Sequence, residues 1–331
     1  LVHLTTESLL GEAMGLAHAD TYFDWLRSLS FVESGRFGLY PNDLAREALV
    51  ADLRWRNPDR FAELHERAGL YYKRRIKEVS GEMQRAFLYE LVFLHRTNPL
   101  VRPFFAWGES SHWMDFLKPE DIPILKKMVA QFEGEESAGH FEFWANHPCA
   151  ETWVWRDGRK APAAFVMRID SHKLADSAGN IPDRVVRQIV DYQKRNLHLR
   201  SGEQCAVFRF WMAKDAYQGI SDLQSAVFLA IIQYYFSPGL AAHFLVTAQP
   251  QFWLPVFAYG DLQYVPELDF SANRMPMGFF MHDWRKRPPI AWLDLLGKRE
   301  IDANTGTETP LEVPKIQLVV LSEEGFESAV D

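Results

Sequence analysis

His282 is the first candidate for proton transfer in this chain, because it stands directly before Asp283 in the segment His282-Asp283-Trp284-Arg285. A histidine beside a carboxylate can act as a general base. Neighbouring residues on an extended chain point to opposite faces, however, so these two side chains need not touch. On this ground we favour the alternative, a strand end fixed by hydrogen bonds, and keep His282 as a catalytic candidate.

A second cluster of ligand-type side chains, His140, Glu142 and His147, lacks the His-x-x-x-His spacing that places two ligands on one helix face. The two cysteines, Cys149 and Cys205, are too few for a Cys-rich zinc site or a disulfide framework. We therefore expect no metal, and a reducing cytoplasm as the compartment.

Arg209 and Trp211 are candidates for binding a planar or anionic ligand. In the predicted strand 204–212, alternation puts Phe208, Phe210 and Met212 on one face, and Arg209 and Trp211 on the other. If the first face is core, the second lines a cleft, to which Trp253 and Tyr259 can contribute. The alternative is that these aromatic residues only fill the core.

The segment Ala216-Tyr217-Gln218-Gly219-Ile220-Ser221 lies between this strand and a long predicted helix. Backbone N–H groups of such a turn, together with a helix N-terminus, can hold a phosphate group. Ser221 can also cap the helix, and an ordinary capped turn is the alternative. The candidate ligand-binding residues of the turn are Tyr217, Gln218, Gly219, Ile220 and Ser221.

The length, composition and charge of the chain limit the class of protein to which these residues belong. The chain has 331 residues, 47% hydrophobic and 24% charged, which predicts about two folded domains and excludes disordered, collagen-like and coiled-coil chains. The net charge of −8 argues against non-specific nucleic-acid binding. No apolar run is long enough for a membrane span. Because the chain begins without Met and ends within a predicted helix, we expect a piece of a longer protein.

From residue 113 onward the predicted order is β-α-α-β-β-(insert)-β-α-β-α-β-β, which is an α+β arrangement with a mixed sheet flanked by helices. This order resembles the GNAT acyltransferase fold. The resemblance implies that acetyl-CoA or another acyl-CoA enters between two central strands that splay apart. It also implies a Gln/Arg-x-x-Gly-x-Gly/Ala turn, to which 216–221 is a partial match: Gly219 takes the first glycine, Ser221 the last small residue, and Ala216 replaces Gln/Arg.

The same resemblance implies a tyrosine acid near the end of the helix after the fifth strand. Phe257 takes that position here and cannot give a proton, whereas Tyr259, two residues on, can. The central strand carries Arg209 instead of a carboxylate base. Tyr259 is therefore the second catalytic candidate, with a structural, half-buried tyrosine as the alternative.

The first 78 residues predict helix, helix, hairpin and helix, which is the pattern of a winged helix. Its helices interleave basic and acidic residues, so we expect a solvated surface and no DNA contact. The runs Leu39–Leu49 and Leu64–Tyr72 resemble the winged helix that follows the nucleotide-binding core of bacterial STAND signalling ATPases. No Gly-x-x-x-x-Gly-Lys-Ser/Thr motif is present, so the resemblance implies a nucleotide-binding partner domain upstream of this chain and no ATP hydrolysis by the chain itself.

We therefore expect a winged-helix domain at 1–78, a helical connector at 79–112 docked by the aromatic cluster 104–108, a GNAT-like domain at 113–300, and a linker with the start of a further module at 301–331. The leading functional hypothesis is a ligand-sensing fragment of a bacterial signalling or transcription regulator that binds acyl-CoA or a similar anionic small molecule. The alternatives are an active N-acyltransferase and a scaffold that has lost its ligand.

Overall fold

The N-terminal region consists of helices around one β-hairpin. The computed structural model describes residues 1–96, 98, 101–104, 106, 112–174 and 181–305, with the backbone alone for 300–305. A π-helical turn, Leu9–Ala13, precedes α1 (Ala19–Arg27), the hairpin β1 (Val32–Gly35) and β2 (Gly38–Pro41), and helices α2 (Asp43–Arg56), α3 (Pro58–Glu78) and α4 (Gly81–Leu94).

A mixed β-sheet with helices on both faces follows. Its strands are β3 (Trp113–Phe116), β4 (Ala150–Arg156), β5 (Pro162–Asp170), β6 (Gln204–Ala213), β7 (Leu240–Ala248), β8 (Gln263–Tyr264), β9 (Phe270–Ala272) and β10 (Met275–Asp283). The helices are α5 (Ile122–Ala145), α6 (Arg184–Asn196), α7 (Asp222–Tyr234), α8 (Pro250–Tyr259) and α9 (Pro289–Thr305).

The sheet runs in the order β3-β4-β5-β6-β7-β10-β8, and β9 pairs with β10. Every pairing is antiparallel except that of β6 with β7, which are parallel. The expected α+β class with a mixed sheet flanked by helices is thus confirmed. The two helices predicted between the first two strands are present, because the run α5 is interrupted at Gly134, whose φ and ψ are not helical. One detail differs: the sequence predicts a strand at 263–268, whereas the structure has the short β8 followed by a 3₁₀ turn, Pro266–Leu268.

Each face of the sheet has its own core. Helices α5 and α6 cover one face, which we call the α5/α6 face. Helices α3, α4, α7, α8 and α9 cover the other, which we call the α7/α8 face. The N-terminal helices therefore share a continuous hydrophobic core with the sheet. Because both faces are covered, the central strands β6 and β7 are buried along nearly their whole length.

The N-terminal helices and hairpin lie where the sequence predicted them, and the Asn42 side chain caps α2 by accepting from the Leu44 N–H. The apolar spacing of α2 predicts a buried face formed by Leu44, Ala48, Leu49 and Leu53, and this prediction is wrong. Leu44 and Leu49 are 83% and 59% exposed, whereas Arg46 and Val50 are buried. The winged-helix assignment and the domain boundaries stay predictions, and the module expected after residue 305 lies outside the described residues. Within the described residues, no helix is long and apolar enough to cross a membrane.

Candidate ligand site between β6 and β7

The two central strands separate beside the turn 216–221. β6 and β7 pair from Gln204 with Leu240 as far as Phe208 with Leu245, and there the pairing ends. Beyond that point β6 stays with β5 and β7 stays with β10, so residues 209–213 and 246–248 lie on either side of a gap. The backbone groups of β7 that face the gap need other partners.

Trp211 spans this gap. Its indole N–H donates to the carbonyl oxygen of Val246 at 2.7 Å. The indole is fully buried and packs against Phe228 of α7 and Trp253 of α8, with ring centroids 5.0 and 5.8 Å apart. The Val246 carbonyl oxygen, which the separation of the strands leaves without a backbone donor from β6, therefore accepts from the Trp211 side chain instead.

Gln218 supplies the second bond across the gap. Its side-chain oxygen accepts from the Ala248 N–H at 2.7 Å, which ties the end of β7 to the turn. The turn also closes on itself, because Tyr217 and Ala213 exchange both backbone hydrogen bonds at 2.7 and 2.8 Å. Tyr217 has a φ of 53°, which a residue other than glycine seldom adopts.

The structure explains why residue 219 is glycine without invoking a ligand. The Gly219 N–H donates to the Ala216 carbonyl oxygen at 2.7 Å, and a Cβ at 219 would lie 2.8 Å from that same oxygen. The tight approach is within the turn. Gly219 therefore contributes the shape of the turn, and its N–H is already used there.

The first turn of α7 is capped and partly covered. The Ser221 hydroxyl accepts from the Gln224 N–H, which confirms the expected cap. One turn on, the Ser225 hydroxyl accepts from the Ala106 N–H of the connector at 3.0 Å.

Buried polar atoms without a hydrogen-bond partner among the described residues surround this corner. They are Nε2 of Gln218, both amide atoms of Gln224 and Oγ1 of Thr247, next to the gap on β7. All three residues are at least 97% buried. Because such groups normally have partners, this corner has the chemistry to hold a polar ligand or ordered water.

The structure places Arg209 and Trp211 on opposite faces, so the expectation that they line one cleft is wrong. A β-bulge shifts the register of β5 with β6 at this point: Met167 pairs with Phe210 and Arg168 with Phe208. Because Arg209 is the extra residue, it lies on the α5/α6 face with Phe210, while Trp211 lies on the α7/α8 face.

Arg209 is fully buried within an ion-pair network. Its guanidinium contacts Asp183 at 3.1 Å and Glu133 at 3.4 Å. Burial alone would lower the pKa of Arg209, but the two carboxylates raise it above its usual value. Tyr217 donates to Glu133, and Trp144 donates to Asp183. The role predicted for Arg209 in binding a ligand stays a prediction, and in the structure its charge is already neutralised.

Tyr259 lies at the end of α8 in a buried polar cluster. The Asn98 amide donates to its hydroxyl at 3.3 Å, while Nδ1 of His95 and the Leu296 carbonyl oxygen lie 3.5 Å from it. Phe257 packs on Phe228 and Trp253 in the same core. The hydroxyl of Tyr259 thus has structural partners, and its catalytic role stays a prediction.

His282 is buried with a carbonyl oxygen facing each ring nitrogen. Nδ1 lies 2.7 Å from the Asp261 oxygen, and Nε2 lies 3.1 Å from the Arg287 oxygen. The Asp283 carboxylate bonds Arg285 instead. Each ring nitrogen thus contacts a backbone oxygen, and Nδ1 also lies 3.6 Å from the Asp261 carboxylate. These contacts are the kind that we expected for a strand end fixed by hydrogen bonds, and the catalytic role of His282 stays a prediction.

The residues that sequence reasoning missed are Glu133, Asp183, Gln224 and Thr247. Asp183 carried a signal as the N-cap of α6, where its carboxylate accepts from two backbone N–H groups. The other three are polar residues within apolar runs, and no local pattern links them to Arg209 or to the gap. Groups of three or more His, Cys, Asp and Glu side chains with metal-ligand geometry are absent from the described part of the chain.

The fit to an acyl-CoA arm is conditional. The free length of β7 and the unpartnered polar atoms suit a ligand that carries amides and phosphates. Trp211 and Gln218, however, hold the two β7 backbone groups that such a ligand would need. An acyl-CoA arm therefore fits here only when Trp211 and Gln218 release Val246 and Ala248, so that the ligand can bond these two backbone groups instead.

No family model and no curated protein matches the chain. Among solved structures, Arabidopsis thaliana NAA60 in complex with acetyl-CoA is 11% identical over 53% of this chain and 99% of its own, with a TM-score of 0.38. The spermidine/spermine N-acetyltransferase SpeG from Vibrio cholerae is 13% identical over 54% of this chain and 96% of its own, with a TM-score of 0.34.

FeeM, an N-acyl amino acid synthase from uncultured soil microbes, is 9% identical over 53% of this chain and 98% of its own, with a TM-score of 0.34. With TM-scores below 0.5, these likenesses add nothing about the function of the present chain. The parallel pair β6 and β7, which separates beyond Phe208 and Leu245, agrees with the splayed central strands that the resemblance of the sequence to the GNAT fold implies.

Proposed function

We propose that this chain is a regulatory module of a larger signalling protein, in which the GNAT-like sheet binds acyl-CoA or a chemically similar anionic ligand at the β6–β7 gap. Ligand binding at the gap moves the turn, and α7 transmits this movement to the N-terminal helices. From α4, in the connector, the signal passes to residues 1–78, which we propose to be a STAND-type winged helix joined to an upstream nucleotide-binding domain.

The observation that carries this proposal is the position of α7. The helix begins at the turn beside the gap, and the N-terminal region rests on its flank. Near its start, Ser225 bonds the connector. Near its end, the Gln233 amide donates to the Gly81 carbonyl oxygen at 2.8 Å and accepts from Arg85 at 3.0 Å. A movement of the turn is therefore transmitted to α4 along one helix.

Three groups of atoms would hold the ligand. The first turn of α7 offers backbone N–H groups and the positive end of the helix dipole to a phosphate. The carbonyl of Val246 and the N–H of Ala248 offer an acceptor and a donor to an amide-bearing arm. The unpartnered atoms of Gln218, Gln224 and Thr247 complete the polar lining. An acyl-CoA brings a thioester, which this proposal leaves unreacted.

The closed gap and the state of the candidate acids and bases favour a sensor over a transferase. Tyr259 and His282 already bond structural partners. Burial raises the pKa of the Cys205 thiol to about 12, so it is no nucleophile at neutral pH. Burial and the neighbouring Glu133 raise the pKa of Tyr217 above its ordinary value. Acyl transfer needs a base and an acid placed at the thioester.

The ligand-free scaffold remains the second candidate, because Trp211 and Gln218 satisfy the open strand edge without any ligand. In that case the GNAT-like sheet serves only as a surface for the N-terminal helices. The two candidates differ in one measurable quantity, the affinity for acyl-CoA.

Calorimetric titration with acetyl-CoA is the direct experiment. Ile220, in the turn, offers a matched pair of variants: Ile220→Glu places a negative charge beside the N-terminus of α7, while Ile220→Gln has the same shape without the charge. We expect binding by the wild type and by Ile220→Gln, and an affinity about tenfold lower for Ile220→Glu, because the carboxylate repels the phosphates. Absence of heat with both the wild type and Trp211→Phe would overturn acyl-CoA binding and leave the scaffold.

A further inference from the structure

A second, apolar cavity lies where the N-terminal region meets the α7/α8 face of the sheet. It holds about 100 Å³ of free space that a sphere the size of a water molecule can occupy. Its walls come from α4 and the rest of the connector, from α7, β7, α8 and α9, and include Val92, Phe104, Phe228, Leu245 and Trp253. The voids inside folded proteins are seldom larger than one water molecule, whereas this cavity has room for several, so the space needs an explanation.

The chemistry of the lining is nearly uniform. Among the described residues that line the cavity, none is Asp, Glu, Lys or Arg, and most are aromatic or aliphatic. An ion would lose its hydration there without gaining a partner of opposite charge, which excludes charged ligands. An aromatic ring or a short hydrocarbon chain would instead gain close contacts on every side.

One end of the cavity is polar. Tyr259 and His95 both line it, with the Tyr259 hydroxyl 3.5 Å from Nδ1 of His95 and 3.3 Å from the fully buried Asn98 amide. The Tyr259 oxygen has two lone pairs, so it can accept from a ligand hydroxyl on one of them while it keeps the bond from Asn98 and its contacts with His95 and the Leu296 carbonyl oxygen. The cavity thus combines an apolar body with a single polar end.

We propose that this cavity binds a small neutral molecule, with an apolar body about the size of one aromatic ring and one hydroxyl group that bonds Tyr259. The site is separate from the β6–β7 gap, because Phe228 and Trp253 stand between the cavity and Trp211. It needs no acyl-CoA. Since its walls belong to both halves of the chain, the ligand holds the N-terminal helices against the sheet.

Three probes of similar shape test this proposal on the full chain: p-cresol, toluene and p-toluate. Titrations followed by calorimetry or ligand-observed NMR should show p-cresol binding about tenfold more tightly than toluene, because only p-cresol offers a hydroxyl to Tyr259. The anionic p-toluate should not bind. Failure of both p-cresol and toluene to bind up to their solubility limits overturns the proposal, and so does equal binding of p-toluate.

Two variants locate the site. Tyr259→Phe should remove the advantage of p-cresol over toluene while leaving the toluene affinity unchanged. Val92→Phe should fill the cavity and abolish binding of both, whereas Leu70→Phe, at an exposed position of α3, should bind like the wild type. If Val92→Phe does not fold, Ile232→Phe, at a lining position on α7, serves instead. A filled variant that folds and still binds p-cresol with wild-type affinity shows that the ligand lies elsewhere.

Discussion

The indole of Trp211 on β6 donates a 2.7 Å hydrogen bond to the carbonyl oxygen of Val246 on β7, just beyond the last backbone pair of the two strands. A side chain thus closes the gap that the backbone leaves open. A ligand that pairs with β7 must replace this bond, so the closed form lowers the apparent affinity in proportion to its population. If the gap binds a ligand as we propose, this cost makes Trp211 a gate for that ligand.

Trp211→Phe should therefore tighten acetyl-CoA binding by about fivefold, because the closed form loses its hydrogen bond and the open form loses nothing. The same change should lower the free energy of unfolding by about 1–2 kcal/mol, since the Val246 carbonyl is left buried without this donor. Calorimetry and urea unfolding measure the two effects.

Trp144→Phe is the matched control. Trp144 is also fully buried and also donates an indole hydrogen bond, to Asp183 at 3.1 Å, but on the α5/α6 face. We expect a comparable loss of stability without any gain in affinity. If both variants change the affinity alike, the effect comes from general loosening and the gate is refuted.

Arg209 should prove to be a structural residue. Arg209→Met removes the cation that neutralises Glu133 and Asp183, both fully buried, and should destabilise the chain by about 3–5 kcal/mol. Burial raises the pKa of Glu133, so this carboxyl takes up a proton more readily than an ordinary one. The additional change Glu133→Gln should therefore recover part of the loss.

Thermal and urea unfolding of Arg209→Met, Glu133→Gln and the double variant form the cycle that measures this coupling. Acetyl-CoA affinity, measured at a temperature where the variants stay folded, should remain within about threefold of the wild type. If an Arg209→Met variant is stable but no longer binds acetyl-CoA, Arg209 is a ligand-binding residue, as the sequence predicts.

The sequence patterns located individual elements well because their boundaries are set locally. The sequence predicts a strand at 240–248 and a helix at 250–259, and β7 and α8 have these limits, since Pro250 favours the start of a helix directly after the strand. The β-bulge at Arg209 could not be predicted, because one extra residue within the alternating run 208–212 changes which face each side chain occupies without changing the pattern.

Contacts between residues far apart in the sequence could not be predicted either. Glu133 and Asp183 reach Arg209 from 76 and 26 residues away, and no spacing rule connects them. The periodicity of α2 likewise shows an apolar stripe but not which side of the helix its neighbours cover. The pattern therefore predicts a buried Leu44 and an exposed Arg46, whereas the structure has the reverse. The splayed strands were predicted from the family resemblance, whereas their closure by Trp211 required the structure.

Gln233 should be required for signalling along α7 but not for binding. Its amide contacts α4 through both Gly81 and Arg85. Acetyl-CoA should change the hydrogen-exchange rates of α4 in the wild type, and Gln233→Ala should suppress that change while the affinity stays within about threefold. Gln131→Ala, at an exposed position of α5, should behave like the wild type. An unchanged response of α4 in Gln233→Ala would contradict the relay.

His243 should make the chain less stable below about pH 6.5. It is fully buried, its Nδ1 accepts from the Trp284 indole at 3.0 Å, and its ring stacks on Tyr235. Burial, and to a smaller extent the neighbouring His282, hold the pKa of His243 well below its ordinary value of 6.5. The native state therefore keeps His243 neutral at a pH where the unfolded chain protonates it.

The sign follows from proton linkage. Below the pKa of the unfolded histidine, the unfolded state binds a proton that the native state refuses, so the free energy of unfolding falls as the pH falls, by up to about 1.4 kcal/mol per pH unit for this one group. His243→Gln keeps an acceptor for Trp284 but cannot titrate. Urea unfolding between about pH 7 and pH 5.5 should show a shallower pH dependence for this variant than for the wild type. Parallel slopes would contradict the prediction, because only the difference between the two slopes isolates the contribution of His243.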